Sequence, residues 1–319
     1  MIILTLQEYV DSLKGRRIAV LGIGVSNTPL IDLLLKNDLP LTVCDMRTEE
    51  ALGDAAAALR ARGAQLRLGP GYLDDLDGFD YIFRTPGLLP TDPALVKAKA
   101  RGAVVTSEME IFFRLCPCRT IGITGSDGKT TTSSIIAELL KAAGRRVHLG
   151  GNIGKPLLCE IPDFQPDDIA VLELSSFQLH SINIRPDVAV ITNVSPNHLD
   201  KHPDFDDYVN AKRQIFANQT ADDVLVVNRD NAYTARFGEE AKSRVLYFSR
   251  KETLSDGVFC RNGMIYRSHN YEVESIIPES EILLPGVRIS CCRRRRKKIL
   301  RQKDAAIKDR KRERYGKQF

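Results

Sequence analysis

The sequence lacks any run of about 18 or more apolar residues, so no segment is long enough to span a bilayer as a helix. Its first residues include acidic side chains and no small-residue cleavage site, which argues against a secretory signal. A Cys-x-x-Cys pair is also absent, and the seven cysteines are scattered, so neither a zinc site nor a disulfide framework is indicated. Together these absences predict a chain in the reducing cytoplasm with no membrane partner.

The net charge of +5 is unevenly distributed along the chain. Residues 288–319 contain 15 basic and 3 acidic residues, whereas the rest of the chain contains 31 basic and 38 acidic residues. The body is therefore mildly acidic, which argues against a nucleic-acid-binding body, since such a body carries a basic face. The basic segment is interpreted as a solvated, disordered tail, and the alternative is an arm that binds nucleic acid or acidic lipid.

Strand and helix patterns alternate along most of the 319 residues, a length typical of about two domains. Short apolar runs such as RRIAVLGIG, LPLTVCDMR and DYIFRTPGL are separated by helical segments, which predicts a parallel sheet. The pattern restarts at RTIGITGSDGKTTT, and a helix is expected within YVNAKRQIFANQ, whereas residues 244–284 are expected to form short antiparallel strands. We predict an α/β chain with a Rossmann-like domain over 1–108, a P-loop-type ATPase domain over 109–287 and an irregular tail over 288–319.

A glycine-containing loop between a predicted strand and a predicted helix is the sharpest local motif. Small residues there let main-chain N–H groups surround phosphate oxygens, and the helix N-terminus adds positive potential. The lysine would reach the β- and γ-phosphates of ATP, and the threonine after it would ligate Mg²⁺. Ile123 stands where the strict motif has its first glycine, so an ordinary turn is the alternative. The predicted nucleotide-binding residues are Gly125, Ser126, Asp127, Gly128, Lys129, Thr130 and Thr131.

A second glycine turn, Gly22-Ile23-Gly24-Val25-Ser26-Asn27, follows the first predicted strand. It resembles a dinucleotide-binding fingerprint, and Asp45 lies where that motif has a ribose-binding acid. Asn27 replaces the third glycine, so the signal is weak. A NAD-dependent oxidoreductase is one alternative, but it leaves the GSDGKTTT loop unexplained. A strand–helix turn with no ligand is the other.

Three further residues are candidates for chemistry downstream of the phosphate loop. Glu173 ends an apolar strand, where an acid is costly unless it faces a cleft or a cation, so it is a reasonable Mg²⁺ ligand. His198 follows another strand at the edge where ligands bind in open α/β sheets, although single loop histidines are often structural. Lys212 lies on a predicted helix, where lysines usually face solvent.

Four segments, GITGSDGKTTT, GGNIGKP, LELSSFQL and TNVSPNHLDKH, occur in the order and at the spacing of the Mur ligase family of peptidoglycan synthesis. The chain resembles this family over about residues 10–287, and most of all the branch that joins D-glutamate to UDP-N-acetylmuramoyl-L-alanine. The resemblance implies a cytoplasmic ATP-dependent ligase. ATP phosphorylates the substrate carboxylate, and the amine of the amino acid displaces phosphate from the resulting acyl phosphate.

The resemblance also implies roles for individual residues. Lys129, His198 and Lys212 would be catalytic. Thr130 and Glu173 would hold one Mg²⁺, His198 a second, and a carbamylated Lys212 would support a cation. Asn152 would contact the muramoyl group. The UDP end would be bound by Ser26, Asn27, Asp45, Arg47, Thr85 and Pro86.

The chain departs from the family after ILLPGV, where RISCCRRRRKK stands in place of the expected third domain. The notable change in composition suggests a reading-frame shift or a truncated product. Because the third domain holds the amino acid and closes over ATP, we expect the D-glutamate site to be missing and complete ligase activity to be low. Two alternatives stay open, a family member with a different amino acid and a non-catalytic nucleotide-binding or scaffold protein with a basic arm.

Overall fold

The computed structural model describes residues 4–180, 182–197 and 201–282. The prediction for His198 and that for the basic segment 288–319 therefore lie outside the described residues. Within the described ranges, no helix is both long and apolar enough to cross a membrane. The chain folds into two sheets, of five and nine strands, with helices packed against them.

The first sheet is entirely parallel, and its strand order 3-2-1-4-5 matches five of the six strands of the classic Rossmann order. Its strands are β1 (Ile18–Leu21), β2 (Leu41–Asp45), β3 (Gln65–Leu68), β4 (Tyr81–Phe83) and β5 (Val104–Thr106). The helices of this part are α1 (Leu6–Ser12), α2 (Thr28–Lys36), α3 (Glu49–Leu52), α4 (Asp54–Ala61) and α5 (Pro93–Ala100), with a 3₁₀ helix at Leu76–Gly78. The central strand β1 is buried throughout, as expected for an apolar run covered on both faces.

The second sheet is mixed, with the order β14-β13-β12-β11-β10-β9-β6-β8-β7. Its first strands are β6 (Arg119–Thr124), β7 (Val147–Gly151), β8 (Ile169–Glu173), β9 (Val188–Ile191) and β10 (Val224–Asn228). The last are β11 (Arg244–Ser249), β12 (Gly257–Arg261), β13 (Met264–His269) and β14 (Glu272–Pro278). Its helices are α6 (Glu108–Leu115), α7 (Lys129–Ala142), α8 (Ser176–Leu179), α9 (Phe205–Arg213) and α10 (Ala232–Glu240), with 3₁₀ helices at Leu158–Asp163 and Glu279–Glu281.

The expectation that residues 244–284 form only antiparallel strands is partly wrong. β11 runs parallel to β10 and to β12, and only β12, β13 and β14 pair antiparallel. The reason is the connection, since α10 lies between β10 and β11 and such a crossover returns the chain in the same direction. The helix expected within YVNAKRQIFANQ is α9, which begins at Phe205.

Apolar contacts join the two sheet regions. The 3₁₀ helix Leu158–Asp163 packs against α1, α2 and α6, and one buried cluster includes residues from both regions, such as Ile18 and Leu172. The domain boundary predicted between residues 108 and 109 falls at the first residue of α6, and it stays a prediction. The carboxyl ends of β6 and β8 and the N-terminus of α7 lie at one edge of the second sheet, which positions the candidate site.

Candidate nucleotide and metal site

The phosphate loop, residues 125–128, connects β6 to α7 in a conformation that requires glycine at two positions. Gly125 has φ +150° and Gly128 has φ +79°, both of which L side chains rarely adopt. A Cβ atom on Gly125 would also lie 1.8 Å from Thr192 Oγ1. The loop is therefore pressed against the segment after β9, and α7 begins directly at Lys129 with its N-terminus open to the loop.

Hydrogen bonds from the segment after β9 fix the loop. The Ser126 hydroxyl, which is buried, donates to Ser195 O at 2.9 Å and lies 3.0 Å from the Tyr208 hydroxyl. Asp127 N donates to Asn193 Oδ1 at 3.0 Å. Asp127 and Thr131 are exposed at the mouth of the loop. The loop is thus held in place by its neighbours while its outer face stays accessible to a phosphate group.

Thr130 and Glu173 meet next to this loop. Thr130 Oγ1 donates to Glu173 Oε2 at 2.7 Å, and Asn152 Nδ2 donates to Glu173 Oε1 at 2.9 Å. Glu173 is buried, and the ion pairs recorded for the described residues give it no lysine or arginine partner. A buried carboxylate beside a hydroxyl and an amide offers the oxygen donors that Mg²⁺ prefers, so the residues fit this ion. Asn152 lies beside this group, and its muramoyl contact stays a prediction.

Two lysines converge on one carbonyl of the loop. Lys129 Nζ donates to the carbonyl oxygens of Gly125 and Ser126 at 2.9 and 3.0 Å, and Lys212 Nζ donates to Gly125 O at 2.9 Å. Lys212 is 1% exposed, with Nζ 4.5 Å from the centroid of the Tyr208 ring. Burial and, next, the nearby Lys129 ammonium lower the pKa of Lys212 to about 7. Lys212 is therefore not the solvent-facing helix lysine that its sequence position alone favours.

The first glycine turn is organised by Asp45. Its carboxylate accepts from Ile23 N at 2.7 Å and from Arg47 N and Nε at 2.9 and 2.8 Å. Burial opposes ionisation of Asp45, but the hydrogen bonds from Arg47 and Ile23 outweigh burial and lower the pKa of Asp45 to about 2. Asp45 therefore orders the turn and holds Arg47, which is half-exposed and also donates to Ile23 O.

Asn27 is 1% exposed, and its amide donates to Leu21 O at 2.9 Å. Its Oδ1 atom has no hydrogen-bond partner. Thr85 packs against Gly22, where an added Cβ would lie 3.1 Å from Thr85 Cβ. A small cleft opens here, and its walls come from both sheet regions. Its lining is formed by Ser26, Asn27, Arg84, Pro86, Ser107, Glu108, Met109 and Gln178.

The structure thus brings together the predicted residues in two groups. Lys129, Thr130, Glu173, Asn152 and Lys212 surround the phosphate loop, whereas the predicted UDP residues lie around the glycine turn and the cleft. Sequence reasoning missed other residues of this region, namely Arg84, His180, His202, Asp207 and Tyr208. An arginine directly before the Thr-Pro-Gly turn and a second histidine in NHLDKH were the available signals, and neither is specific.

Two family models match the chain. Residues 123–287 match the family model described as Mur ligase middle domain, and residues 16–107 match Mur ligase MurD-like, N-terminal domain. The chain is 48% identical over 282 residues to a Ruminiclostridium cellulolyticum protein named UDP-N-acetylmuramoylalanine--D-glutamate ligase, covering 88% of this chain and 61% of that protein. A Clostridium novyi protein of the same name is 49% identical over 255 residues, which is 80% of this chain and 56% of that protein.

The chain therefore spans about 60% of the length of the curated relatives it matches. Among solved structures, a Neisseria meningitides UDP-N-acetylmuramate:L-alanyl-gamma-D-glutamyl-meso-diaminopimelate ligase matches with a TM-score of 0.50 and 18% identity. That match covers 81% of this chain and 85% of the other, and it shows a shared fold.

Proposed function

The chain belongs to the Mur ligase family, and on that premise we propose that it binds ATP and UDP-N-acetylmuramoyl-L-alanine for ATP-dependent ligation of D-glutamate. The proposed reaction has two steps. A carboxylate oxygen of the UDP-linked substrate attacks the γ-phosphorus of ATP and ADP leaves. The amine nitrogen of D-glutamate then attacks the acyl carbon, inorganic phosphate leaves, and the nitrogen loses a proton to give the amide.

The observation that carries this proposal is the grouping of Lys129, Thr130, Glu173 and Lys212 around the loop 125–128. Transfer of a phosphoryl group to a carboxylate brings two anions together, so cations and donors near the reacting oxygens lower the barrier. The Lys129 ammonium lies within 3.0 Å of two loop carbonyl oxygens, and the helix N-terminus adds positive potential. The triphosphate would lie along the loop with its γ-phosphate toward Lys129.

The donor set of Thr130 and Glu173, with Asn152 supporting the carboxylate, would hold Mg²⁺. When bound, the ion would neutralise phosphate charge and so favour phosphoryl transfer. His198 is the proposed residue for a second ion, by its position in the NHLDKH segment of the sequence. Asn152 keeps Glu173 oriented, since its amide donates to the oxygen that Thr130 does not contact.

Lys212 is proposed as a carbamylated residue. Carbamylation requires a neutral amine, and a pKa of about 7 leaves about half of the amine neutral at pH 7. An ordinary lysine with a pKa of about 10.4 is neutral in only about 1 molecule in 2,500 at that pH. The carbamate would place anionic oxygens next to the Lys129 ammonium, where a cation site could use them.

The UDP end of the substrate is proposed to bind at the first glycine turn. Ser26 and Pro86 line the cleft, and the half-exposed Arg47 guanidinium is held at the mouth of the turn by Asp45. Asn27 and Thr85 stabilise the turn, since the Asn27 amide donates to Leu21 O and Thr85 packs against Gly22. A guanidinium suits a diphosphate.

Calorimetry of the purified chain tests the proposal. UDP-N-acetylmuramoyl-L-alanine and the magnesium complex of a non-hydrolysable ATP analogue are each titrated, and binding of both is expected. Lys129→Ala should weaken analogue binding at least tenfold and change the affinity for the UDP ligand less than twofold. Lys141→Ala, an exposed lysine on the same helix, is the matched control. Binding of NAD instead of the ATP analogue, or equal loss of both affinities in Lys129→Ala, would contradict the proposal.

A further inference from the structure

A buried arginine joins the two ligand regions. Arg84 directly precedes the Thr85-Pro86 segment of the cleft, and it is 4% exposed. Its guanidinium donates to His180 O at 2.9 Å and to Leu88 O at 3.2 Å, and it lies 3.5 Å from Phe177 O. No ion pair is recorded for Arg84 in the part of the chain that the structure describes. A buried cation held by main-chain carbonyls is costly, so its position calls for an explanation.

The contacts continue from α8 into α9. His180 accepts from Arg84 through its carbonyl, and its Nε2 lies 2.9 Å from Asp207 Oδ1. The other carboxylate oxygen of Asp207 is 2.6 Å from His202 Nδ1, and His202 Nε2 is 2.9 Å from Ser176 Oγ. Two histidines and a carboxylate can also bind a metal. The separation of 2.6 Å between His202 Nδ1 and Asp207 Oδ2 is that of a short hydrogen bond to a carboxylate, and we interpret the group as a polar bridge from α8 to α9.

Two residues of α9 contact the phosphate loop. One turn of α9 carries Asp207 and Tyr208, and the next carries Lys212. The Tyr208 hydroxyl is 3.0 Å from Ser126 Oγ, and Lys212 Nζ donates to Gly125 O at 2.9 Å. A continuous set of contacts therefore runs from Arg84, next to Thr85, to the phosphate loop.

We propose that Arg84 and Asp207 are positioning residues that couple binding at the UDP cleft to binding at the phosphate loop. The inference rests on the proposed function, since it needs both ligands. A ligand that orders the Thr85-Pro86 turn also orders the Arg84 guanidinium and, through α8 and Asp207, the helix that carries Tyr208 and Lys212. The second ligand then finds its loop already ordered and binds more tightly.

The coupling is measured by calorimetry on the whole chain. The dissociation constant of the magnesium–ATP analogue is determined without and with saturating UDP-N-acetylmuramoyl-L-alanine, and the ratio of the two is the coupling factor. We expect a factor of about five or more for the unmodified chain, within the usual range for linked sites. The reverse titration must return the same factor, because linkage between binding equilibria is reciprocal.

Arg84→Met and Asp207→Asn are each expected to bring the factor within twofold of unity. The double variant should lose no more than either single variant, because both residues belong to one path. Arg119→Met, which changes an exposed arginine at the start of β6, should keep the full factor. Thermal unfolding of each variant accompanies the titrations, and Arg84→Lys replaces Arg84→Met if the latter fails to fold.

The outcomes separate this inference from the proposed function. A factor near unity in the unmodified chain overturns the coupling, and so does an unchanged factor in folded Arg84 and Asp207 variants. A lower melting temperature with an unchanged factor would show that the contacts only stabilise the fold. Failure of either ligand to bind the unmodified chain contradicts the proposed function itself, and the coupling falls with it.

Discussion

Glu108 offers a sharp test of the electrostatics of the cleft. It is the first residue of α6, is 5% exposed, and its Oε1 accepts from Leu158 N at 3.1 Å. Burial raises the pKa of Glu108 to about 7, and the hydrogen bond from Leu158 only partly opposes this rise. Glutamine keeps the carbonyl acceptor and removes the charge, so we choose Glu108→Gln as the perturbation.

The sign follows from proton linkage. Because the folded pKa lies above the ordinary value of 4.5, the folded chain binds more protons than the unfolded chain between about pH 4.5 and 7. The free energy of unfolding of the native chain therefore falls across that window, and the destabilisation caused by the Glu108 charge is complete above pH 7. A pKa difference of about 2.5 corresponds to about 3.4 kcal/mol. A negative charge at a helix N-terminus recovers about 0.3–1 kcal/mol of this.

Urea unfolding between pH 4 and 8 measures the effect. The free energy of unfolding of Glu108→Gln minus that of the unmodified chain should rise by about 2–3 kcal/mol from pH 4 to pH 8. Glu110→Gln is the matched control, because Glu110 lies in the same turn of α6, is half-buried, and accepts from Thr106 Oγ1 at 3.1 Å. A difference that does not change with pH for Glu108→Gln would refute the argument that burial penalises its charge.

Three further predictions concern the loop, the turn and the buried lysine. Gly125→Ala should destabilise the chain by about 2 kcal/mol or more in urea unfolding, since the added Cβ has no room. Gly128→Ala places its Cβ in open space and should cost about 1 kcal/mol, so equal costs would contradict the steric argument. Because the pKa of Asp45 is about 2, Asp45→Asn should lower the free energy of unfolding at pH 6, and this loss should shrink as the pH falls below 3.8. A loss that does not change with pH in acid unfolding would contradict this role of the Asp45 charge. In ¹³C-bicarbonate, NMR should show a carbamate signal that grows as the pH rises through about 7. The signal should be absent in Lys212→Arg and present in Lys141→Arg, and its persistence in Lys212→Arg would assign the carbamate to another lysine.

Local patterns were sufficient to predict the alternation of strands and helices and the family. Each β–loop–α unit is written in contiguous residues, as in the apolar run of β6, the glycines of the loop and the helical segment of α7. The direction of β11 was predicted wrongly, because strand pairing depends on where the connection through α10 returns the chain. A short apolar strand carries no local signal of its partner's direction.

The site was predictable only in part, for a related reason. Glu173 could be expected near Thr130, since Glu173 ends β8, Thr130 follows the loop after β6, and parallel strands end at the same edge of a sheet. Tyr208 and Arg84 were not predicted, because each acts on a segment about 80 to 95 residues away in the chain, as the separations in their hydrogen bonds show. Nothing in the residues around them indicates those partners.

The sequence by itself determined the order of elements, the glycines that permit the loop's backbone and the motifs that identify the family, because these depend on neighbours along the chain. Only the tertiary structure decided that Lys212 and Glu108 are buried with pKa values near 7 and that Arg84 reaches the carbonyl of His180. Burial and charge interactions depend on distances in space. Those distances are set by tertiary packing, within the second sheet region for Lys212 and between the two regions for Arg84.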